Sequence, residues 1–211
     1  MRAVVISAPG ELEVTTVDDP TPEPRSCAVR GFDVLRPQLG DHYLIYGADT
    51  MGLMMLELAK RSGAARVDVV DLNPQRLEVA RTLGCSNAVV SADELQSPRG
   101  WDVVIDCTGV VVAIEDGLGR VGRGGTFLQF GVSAEQAVAR WSPYRVFNKE
   151  ITITGSMAVL HSYERAADLF GEGLLDPDVF ISDRLPLEDH PTALEQFAKG
   201  VGRKIQVAPS G

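Results

Sequence analysis

The sequence predicts an α/β protein built on a doubly wound parallel sheet, because three observations agree. Short apolar runs of strand type alternate along the chain with segments whose apolar residues recur at helical spacing. These runs contain few polar residues, as in parallel strands that are covered on both faces. Residues 42–63 combine a strand, a glycine turn and a helix in one continuous unit. We therefore expect a sheet with the strand order 3-2-1-4-5-6.

The first 40 residues precede this alternation and predict a different arrangement. Apolar residues on both sides of Pro9-Gly10 are typical of a hairpin, and a proline-rich stretch follows. The predicted elements are strands at 3–6 and 12–17, a connector at 18–24 and a helix at 27–39. Because the edges of the hairpin need covering, we expect it to pair with the strand at 204–207, to meet a second chain or to be disordered.

The alternating region supplies the sheet and its covering helices. Strands are predicted at 42–46, 67–71, 88–90, 101–107, 125–130 and 150–154. Helices are predicted at 53–60, 74–83 and 110–121. Beyond residue 155 the pattern changes, and the predicted elements are helices at 163–170 and 191–199 and short strands at 179–182 and 204–207.

Gly47 to Gly52, with the sequence Gly-Ala-Asp-Thr-Met-Gly, is typical of a corner that binds a dinucleotide pyrophosphate. The turn aims the free N–H groups of the following helix at the phosphates, so Thr50 and Met51 belong to the candidate site. The usual motif has a middle glycine, and this chain has Asp49 there. Two like charges about 5 Å apart repel by roughly 3 kcal/mol at an effective dielectric of about 20. Asp49 therefore weakens binding where it faces the phosphates and costs less where it points away.

Asp71 ends the next predicted strand, 24 residues after Gly47. An acidic residue about 20 residues beyond the first glycine hydrogen-bonds the adenosine ribose in such folds. Its carboxylate would repel a 2′-phosphate, which favours NAD over NADP as the cofactor. Leu72 is assigned to the same site. Arg76 is interpreted either as a phosphate ligand or as a solvated helix residue.

The composition argues against several classes of partner. A formal net charge of −9 without a basic stretch disfavours nucleic acids and anionic membranes. No apolar run approaches the roughly 20 residues that a membrane helix needs, and the N-terminus lacks the pattern of a signal peptide. Cys27, Cys85 and Cys107 are far apart and form no CxxC motif. These features predict a cytoplasmic protein with free thiols.

Several motifs in the right order resemble the medium-chain, zinc-dependent alcohol and polyol dehydrogenases, and the sorbitol-type branch in particular. The resemblance is carried by residues 1–22, 47–84, 101–109 (WDVVIDCTG), 124–132 (GGTFLQFGV), 150–157 (EITITGSM) and 181–207. It implies a Rossmann-type dinucleotide-binding domain at 25–155. Residues 1–24 would be remnant strands of a truncated GroES-like catalytic domain, and residues 156–211 would return to that lobe.

The same resemblance draws attention to two motifs that this sequence does not contain. In the family, a Cys-Gly-Thr-Asp motif and a Gly-His-Glu motif supply ligands of the catalytic zinc, and neither occurs here. Glu23-Pro24 is similar to a Glu-Pro pair that supplies a third ligand in sorbitol-type members. A catalytic zinc needs about three protein ligands, and one carboxylate is not a site. We therefore expect no zinc, and we interpret His161 and His190 as structural.

The resemblance also implies further cofactor-binding residues at the carboxyl ends of two strands, where ligands bind in open α/β sheets. They would flank the ribose and nicotinamide, with ordinary loop turns as the alternative, and they are Cys107, Thr108, Gly109, Gly131 and Val132. Arg203 aligns with a position that touches the pyrophosphate in some members, and a surface arginine is the alternative. Cys107 has no histidine at a recognisable spacing, which disfavours a nucleophilic role.

An aromatic cluster at residues 141–147 (WSPYRVF) lies beside the sixth predicted strand. By resemblance, this region is near the edge strand through which family dimers join their sheets, which implies a homodimer or a higher homo-oligomer. Packing in the core of one chain is the alternative, and both can hold at once.

Two hypotheses of different class follow. By resemblance, the chain is an oxidoreductase that moves a hydride between NAD(H) and an alcohol or polyol, although it lacks the zinc that acidifies the alcohol. The alternative is a non-redox binding or scaffold protein, or an inactive relic, that keeps the nucleotide fold and dimerises. The missing catalytic motifs favour the second hypothesis for mechanism.

Overall fold

The computed structural model describes residues 2–8, 11–16, 27–157 and 162–208. The chain divides into two compact units, which are considered separately. The larger unit is Pro24–Leu175, and the smaller one combines Met1–Glu23 with Asp176–Gly211. His161 lies outside the described residues.

The structure contains strands and helices close to the predicted positions. The strands are β1 (Arg2–Ala8), β2 (Glu11–Thr16), β3 (His42–Tyr46), β4 (Arg66–Val70), β5 (Asn87–Val89), β6 (Trp101–Asp106), β7 (Val121–Gln129), β8 (Thr152–Gly155), β9 (Asp183–Pro186) and β10 (Ile205–Ala208). The helices are α1 (Cys27–Leu35), α2 (Thr50–Arg61), α3 (Pro74–Thr82), α4 (Val111–Arg120), α5 (Pro143–Lys149), α6 (Tyr163–Gly171), α7 (Pro177–Phe180) and α8 (His190–Ala198).

The larger unit is organised by a six-stranded sheet in the order β5-β4-β3-β6-β7-β8. Every neighbouring pair of strands runs parallel. Numbered within the sheet, this order is 3-2-1-4-5-6, so the predicted doubly wound fold is confirmed. The order reverses between β3 and β6, and in open α/β sheets such a reversal marks the place where ligands bind at the carboxyl edge.

The central strands are apolar because both of their faces are covered. Several of their side chains are completely excluded from solvent, namely Leu44, Ile45, Val69, Val104, Ile105 and Leu128. Phe32 of α1 stacks on Tyr43 of β3, with the ring centroids 6.3 Å apart. This continuous burial is what the lack of polar alternation in the sequence predicted.

Asp68 of β4 is a charged residue that is completely buried within this apolar sheet. Its carboxylate accepts hydrogen bonds from Trp101 Nε1 at 2.8 Å and from Asn87 Nδ2 at 2.7 Å. Arg66 Nε lies 2.7 Å from Asp68 Oδ2, in a geometry too bent for a hydrogen bond, and forms an ion pair. A buried charge is tolerated only when it is paired and hydrogen-bonded in this way.

Replacing Asp68 with asparagine is expected to lower the free energy of unfolding by about 2–3 kcal/mol. The charge-assisted hydrogen bonds are lost, and the new amide NH₂ faces the N–H donor of Trp101 or Asn87. Urea denaturation measures this loss. Glu78→Gln is the matched control, since it removes a carboxylate from an exposed ion pair with Arg81. That control should cost less than about 1 kcal/mol. Equal losses in the two variants would contradict the role of Asp68.

In the smaller unit, β1 and β2 form an antiparallel hairpin, as predicted. Its expected pairing with the strand near 204–207 is wrong for the described residues, because β10 pairs in parallel with β9 instead. The strand predicted at 179–182 is also wrong. Asp176 caps a short helix, α7, by accepting the N–H of Asp178, and Pro177 occupies its first turn. The β-branched residues at 179–182 favoured a strand in the prediction, although Asp176-Pro177 is a helix-start signal.

The aromatic cluster at 141–147 contains a helix, α5, that the sequence analysis missed. Ser142 caps it by accepting the N–H of Arg145, and Pro143 opens it. Tyr144 and Phe147 are 71% and 80% exposed. The alternative that these two rings pack in the core of one chain is therefore wrong.

The three cysteines are free thiols, as predicted from their spacing. Cys107 is buried, and the other two are partly exposed. Among the described residues, no helix is both long enough and apolar enough to cross a membrane.

Candidate dinucleotide-binding site

The candidate site lies where the strands around the switch point end. β3 is followed by the glycine turn, β4 by Asp71, β6 by the turn at 107–109 and β7 by Gly131. Because these strands are parallel neighbours, the structure brings all four segments to the same edge of the sheet. Each of the four segments contains residues that were predicted from the sequence to bind the cofactor.

Two glycines make the turn after β3 possible. Gly47 has φ +96°, and a Cβ there would lie 3.2 Å from Thr108 Cγ2 in the turn after β6. A Cβ on Gly52 would lie only 1.9 Å from the carbonyl oxygen of Gly47. A side chain at Gly52 would therefore separate helix α2 from the turn.

Asp49 is the N-cap residue of α2. Its Oδ1 accepts hydrogen bonds from the N–H groups of Met51 and Gly52, each at 3.0 Å. These are the helix N-terminal donors that a pyrophosphate uses in this kind of corner. The carboxylate therefore accepts the donors that a pyrophosphate would use, and its effect on cofactor binding stays a prediction.

Asp71 ties the end of β4 to the glycine turn. Its Oδ2 accepts the N–H of Ala48 at 2.6 Å, and its Oδ1 accepts the N–H of Asn73 at 2.7 Å. Arg76 Nη1 lies 3.9 Å from Asp71 Oδ2, and the Arg76 side chain is only 25% exposed. Arg76 is thus a partly exposed helix residue beside Asp71, and its role as a phosphate ligand stays a prediction. Leu72 is 86% exposed beside this carboxylate.

The turn after β6 is anchored by a buried residue that the sequence analysis did not assign. Asp106, the last residue of β6, is completely buried and accepts hydrogen bonds from Thr108 and Gly109. A further bond comes from Gln129 Nε2, at the end of β7. The available signal was an aspartate at the end of an apolar run, directly before a Cys-Thr-Gly turn.

The turns after β6 and β7 are in direct contact. A Cβ on Gly131 would lie 2.3 Å from the amide nitrogen of Gly109, and one on Gly109 would lie 2.2 Å from the carbonyl oxygen of Val132. Ser133 Oγ donates to the carbonyl oxygen of Gly109 at 2.8 Å. Val132 itself is 92% exposed at this edge.

Cys107 begins the turn after β6 and lies against the glycine turn, because a Cβ on Gly47 would be 3.4 Å from Cys107 Cβ. Burial raises the pKa of its thiol well above the ordinary value, and the nearby Asp49 and Asp106 raise it further. A thiol in such a site stays protonated at neutral pH, which makes it a poor nucleophile.

The remaining predicted residues are placed as follows. Thr50 is buried at the start of α2, while Thr108 is exposed. Arg203 belongs to the smaller unit, where its Nε donates to the carbonyl oxygen of Val179 at 3.0 Å. Its predicted contact with the pyrophosphate stays a prediction.

The donor set for a zinc ion is not assembled in the described part of the chain. Within it, no three side chains of histidine, cysteine, aspartate or glutamate are grouped to hold a metal. Since a catalytic zinc takes about three protein ligands, the described residues do not fit a zinc site.

The chain is similar to known dehydrogenases along most of its length. A family model described as zinc-binding dehydrogenase matches residues 50–172. D-arabinitol dehydrogenase 1 of Uromyces fabae is 34% identical over 199 residues, which are 89% of this chain and 57% of that protein. Sorbitol dehydrogenase of Bacillus subtilis is 27% identical over 199 residues, which are 89% of this chain and 56% of that protein.

Solved structures of dehydrogenases also match this chain. A Sinorhizobium meliloti protein described as a zinc-binding dehydrogenase, and bound to NADP, matches with a TM-score of 0.79 at 25% identity. The match covers 88% of this chain and 56% of that protein. The chain thus spans about half the length of the curated relatives it matches.

Proposed function

Because the chain belongs to the zinc-binding dehydrogenase family, as its motifs predicted, we propose that it binds NAD(H) at the carboxyl edge of its sheet. The observation that carries this proposal is the hydrogen bond from Ala48 N to Asp71 Oδ2, which joins the acid that would bind the ribose to the glycine turn. By descent, the activity is that of an oxidoreductase acting on an alcohol or polyol.

The two halves of the cofactor would take different parts of the crevice. Asp71 and Leu72 would hold the adenosine, and the N–H groups at the start of α2 would hold the pyrophosphate. The turns at 107–109 and 131–132 would flank the nicotinamide ribose. The bound cofactor would supply hydride transfer, while the chain's own residues bind and orient it.

The preference for NAD over NADP rests on Asp71, whose carboxylate would repel a 2′-phosphate. Arg76 nearby favours the phosphorylated cofactor, and its Nη1 lies 3.9 Å from Asp71 Oδ2. We expect the repulsion from Asp71 to outweigh the attraction of Arg76 for a 2′-phosphate. The Asp71 side chain is only 9% exposed, and it partly neutralises the charge of Arg76.

Titration of the purified chain with NADH and NADPH tests the proposed function. NADH is expected to bind at least about tenfold more tightly than NADPH, since one repelled phosphate costs more than about 1.4 kcal/mol. Tighter binding of NADPH would overturn the assignment to Asp71. Failure of both cofactors to bind would overturn the proposed function.

A second candidate function is supported by Asp49. Because its carboxylate takes the phosphate donors of α2, a non-redox binding or scaffold role remains the alternative. No step through zinc is proposed, since the described residues do not group three donors around a metal. We also propose a cytoplasmic location, because free thiols fit a reducing compartment.

We further propose that the chain forms a homodimer through β8 and α5. Among the described strands, β8 bonds only to β7, so its other edge is open. Ile153 on this strand is 41% exposed, and Phe147 on α5 is 80% exposed. An open edge flanked by apolar side chains needs a partner.

Replacing Ile153 with aspartate is expected to convert a dimer to a monomer, because a charge on this edge would be buried without a partner. Light scattering after size-exclusion chromatography measures the mass. Leu39→Asp, at a site that is 89% exposed in the loop before β3, is the control and should leave the mass unchanged. A native chain that is already monomeric would contradict the proposed dimer.

A further inference from the structure

We propose that Asp106 is a positioning residue that fixes the nicotinamide half of the cofactor site. It does so by holding the turns after β6 and β7 in a single arrangement. The inference rests on the proposed function, because it concerns the same crevice.

The side chain of Asp106 is completely buried, and both of its oxygens are saturated. Oδ1 accepts the N–H of Thr108 at 3.1 Å and its hydroxyl at 2.6 Å. Oδ2 accepts the N–H of Gly109 at 2.9 Å and Nε2 of Gln129 at 2.8 Å. An ionised carboxylate only accepts hydrogen bonds, so four converging donors fit it and no neutral side chain of the same shape.

The backbone of Asp106 extends this anchor to the second turn. Its carbonyl oxygen accepts the N–H groups of Phe130 at 3.0 Å and Gly131 at 2.7 Å. Gln129 Nε2, which donates to the carboxylate, also donates to the carbonyl oxygen of Gly131 at 2.8 Å. One buried residue therefore bonds to both turns, which pack so closely that a Cβ on Gly131 would lie 2.3 Å from the amide nitrogen of Gly109.

The position of these turns decides which half of the ligand they serve. A dinucleotide crosses the sheet where the strand order reverses, and here this point lies between β3 and β6. Asp71, which follows β4, assigns the adenosine to one side. The other half of the ligand then lies over β6 and β7, where Thr108 and Val132 are exposed above the buried anchor.

An asparagine at position 106 would keep the shape and lose the function of the anchor. In either orientation, its amide NH₂ would replace an oxygen that now accepts two hydrogen bonds. On the Oδ2 side, the amide would meet the N–H of Gly109 and the amide of Gln129. Donors would then face donors, and the turns would part.

The test compares Asp106→Asn with Asp68→Asn. Both variants neutralise a completely buried carboxylate of the same sheet, but Asp68 bonds to Trp101 and Asn87, away from the turns. The native chain and both variants are titrated with NADH and with ADP, which lacks the nicotinamide ribose. We expect Asp106→Asn to lower the affinity for NADH by at least about tenfold and the affinity for ADP by less than about twofold. Asp68→Asn should change the affinities for NADH and ADP by the same factor.

Equal weakening of NADH and ADP in Asp106→Asn would overturn the proposal, because a general loss of structure acts on both ligands. An unchanged affinity for NADH would overturn it as well. If the native chain bound ADP but not NADH, the nicotinamide half would not be a site, and both the proposed function and this inference would fail.

Amide hydrogen exchange tests the anchor without any ligand. The amides of Thr108, Gly109 and Gly131 are expected to exchange at least about tenfold faster in Asp106→Asn than in Asp68→Asn. Equal exchange at these three amides would overturn the anchoring role. Faster exchange in a chain that binds no NADH would confirm the anchor while the proposed function and the cofactor role fail.

Discussion

Asp49→Gly is expected to strengthen NADH binding by about tenfold to a hundredfold, the range set by a repulsion of up to roughly 3 kcal/mol. In the structure, the carboxylate accepts the N–H groups of Met51 and Gly52. A pyrophosphate must displace it from these donors and then bind beside its charge. Glycine removes both obstacles. Calorimetric titration at low ionic strength measures the difference, which should shrink as salt screens the charge.

Asp49→Asn is the matched control for this prediction. Asparagine caps a helix about as well as aspartate, so it keeps the competing hydrogen bonds and removes only the charge. Its affinity for NADH should fall between those of the native chain and the glycine variant. Glycine at an N-cap costs only a few tenths of a kcal/mol, so stability does not confuse the comparison. Unchanged or weaker binding in the glycine variant would contradict the competition.

Gly52→Ala is expected to lower the free energy of unfolding by about 3 kcal/mol or more, at the upper end of overpacking effects. The new Cβ would lie 1.9 Å from the carbonyl oxygen of Gly47, which is a backbone atom and cannot rotate aside. Helix α2 must then move away from the end of β3. Urea denaturation gives the loss, and NADH binding should disappear with it.

Gly119→Ala is the control for the glycine variant. Gly119 lies in α4, and a Cβ there would meet nothing within 4 Å. Replacing a glycine within a helix by alanine should raise the free energy of unfolding by about 0.5–1 kcal/mol. Replacing glycine with alanine is thus expected to lower the free energy of unfolding at Gly52 and to raise it at Gly119. A Gly52→Ala chain as stable as the native one would contradict the close approach of turn and helix.

Much of the large unit was predictable because its signals are local or periodic. Apolar runs fixed the strands, and the glycine turn with its offset aspartate fixed the corner around Gly47 and Asp71. The capping role of Asp49 was also within reach, since aspartate is a preferred N-cap residue and stands directly before the helix. The prediction from the sequence rested only on the charge of Asp49.

Other features depend on partners that are distant in sequence. The anchor at Asp106 needs Gln129 from the next strand, and the pairing of β10 with β9 needs a strand that no periodicity revealed. The helices α5 and α7 were missed for a different reason. Ser142-Pro143 and Asp176-Pro177 are helix-start signals, but aromatic and β-branched residues after them favoured other interpretations.

The most direct test of the proposed site is an amide NMR titration of the native chain with NADH. The largest shifts are expected at the N–H groups of Ala48, Met51 and Gly52 and in the turns at 107–109 and 131–132. Shifts on both sides of the switch point would place a whole dinucleotide across the crevice. No shift at millimolar NADH, or shifts confined to another surface, would contradict the account.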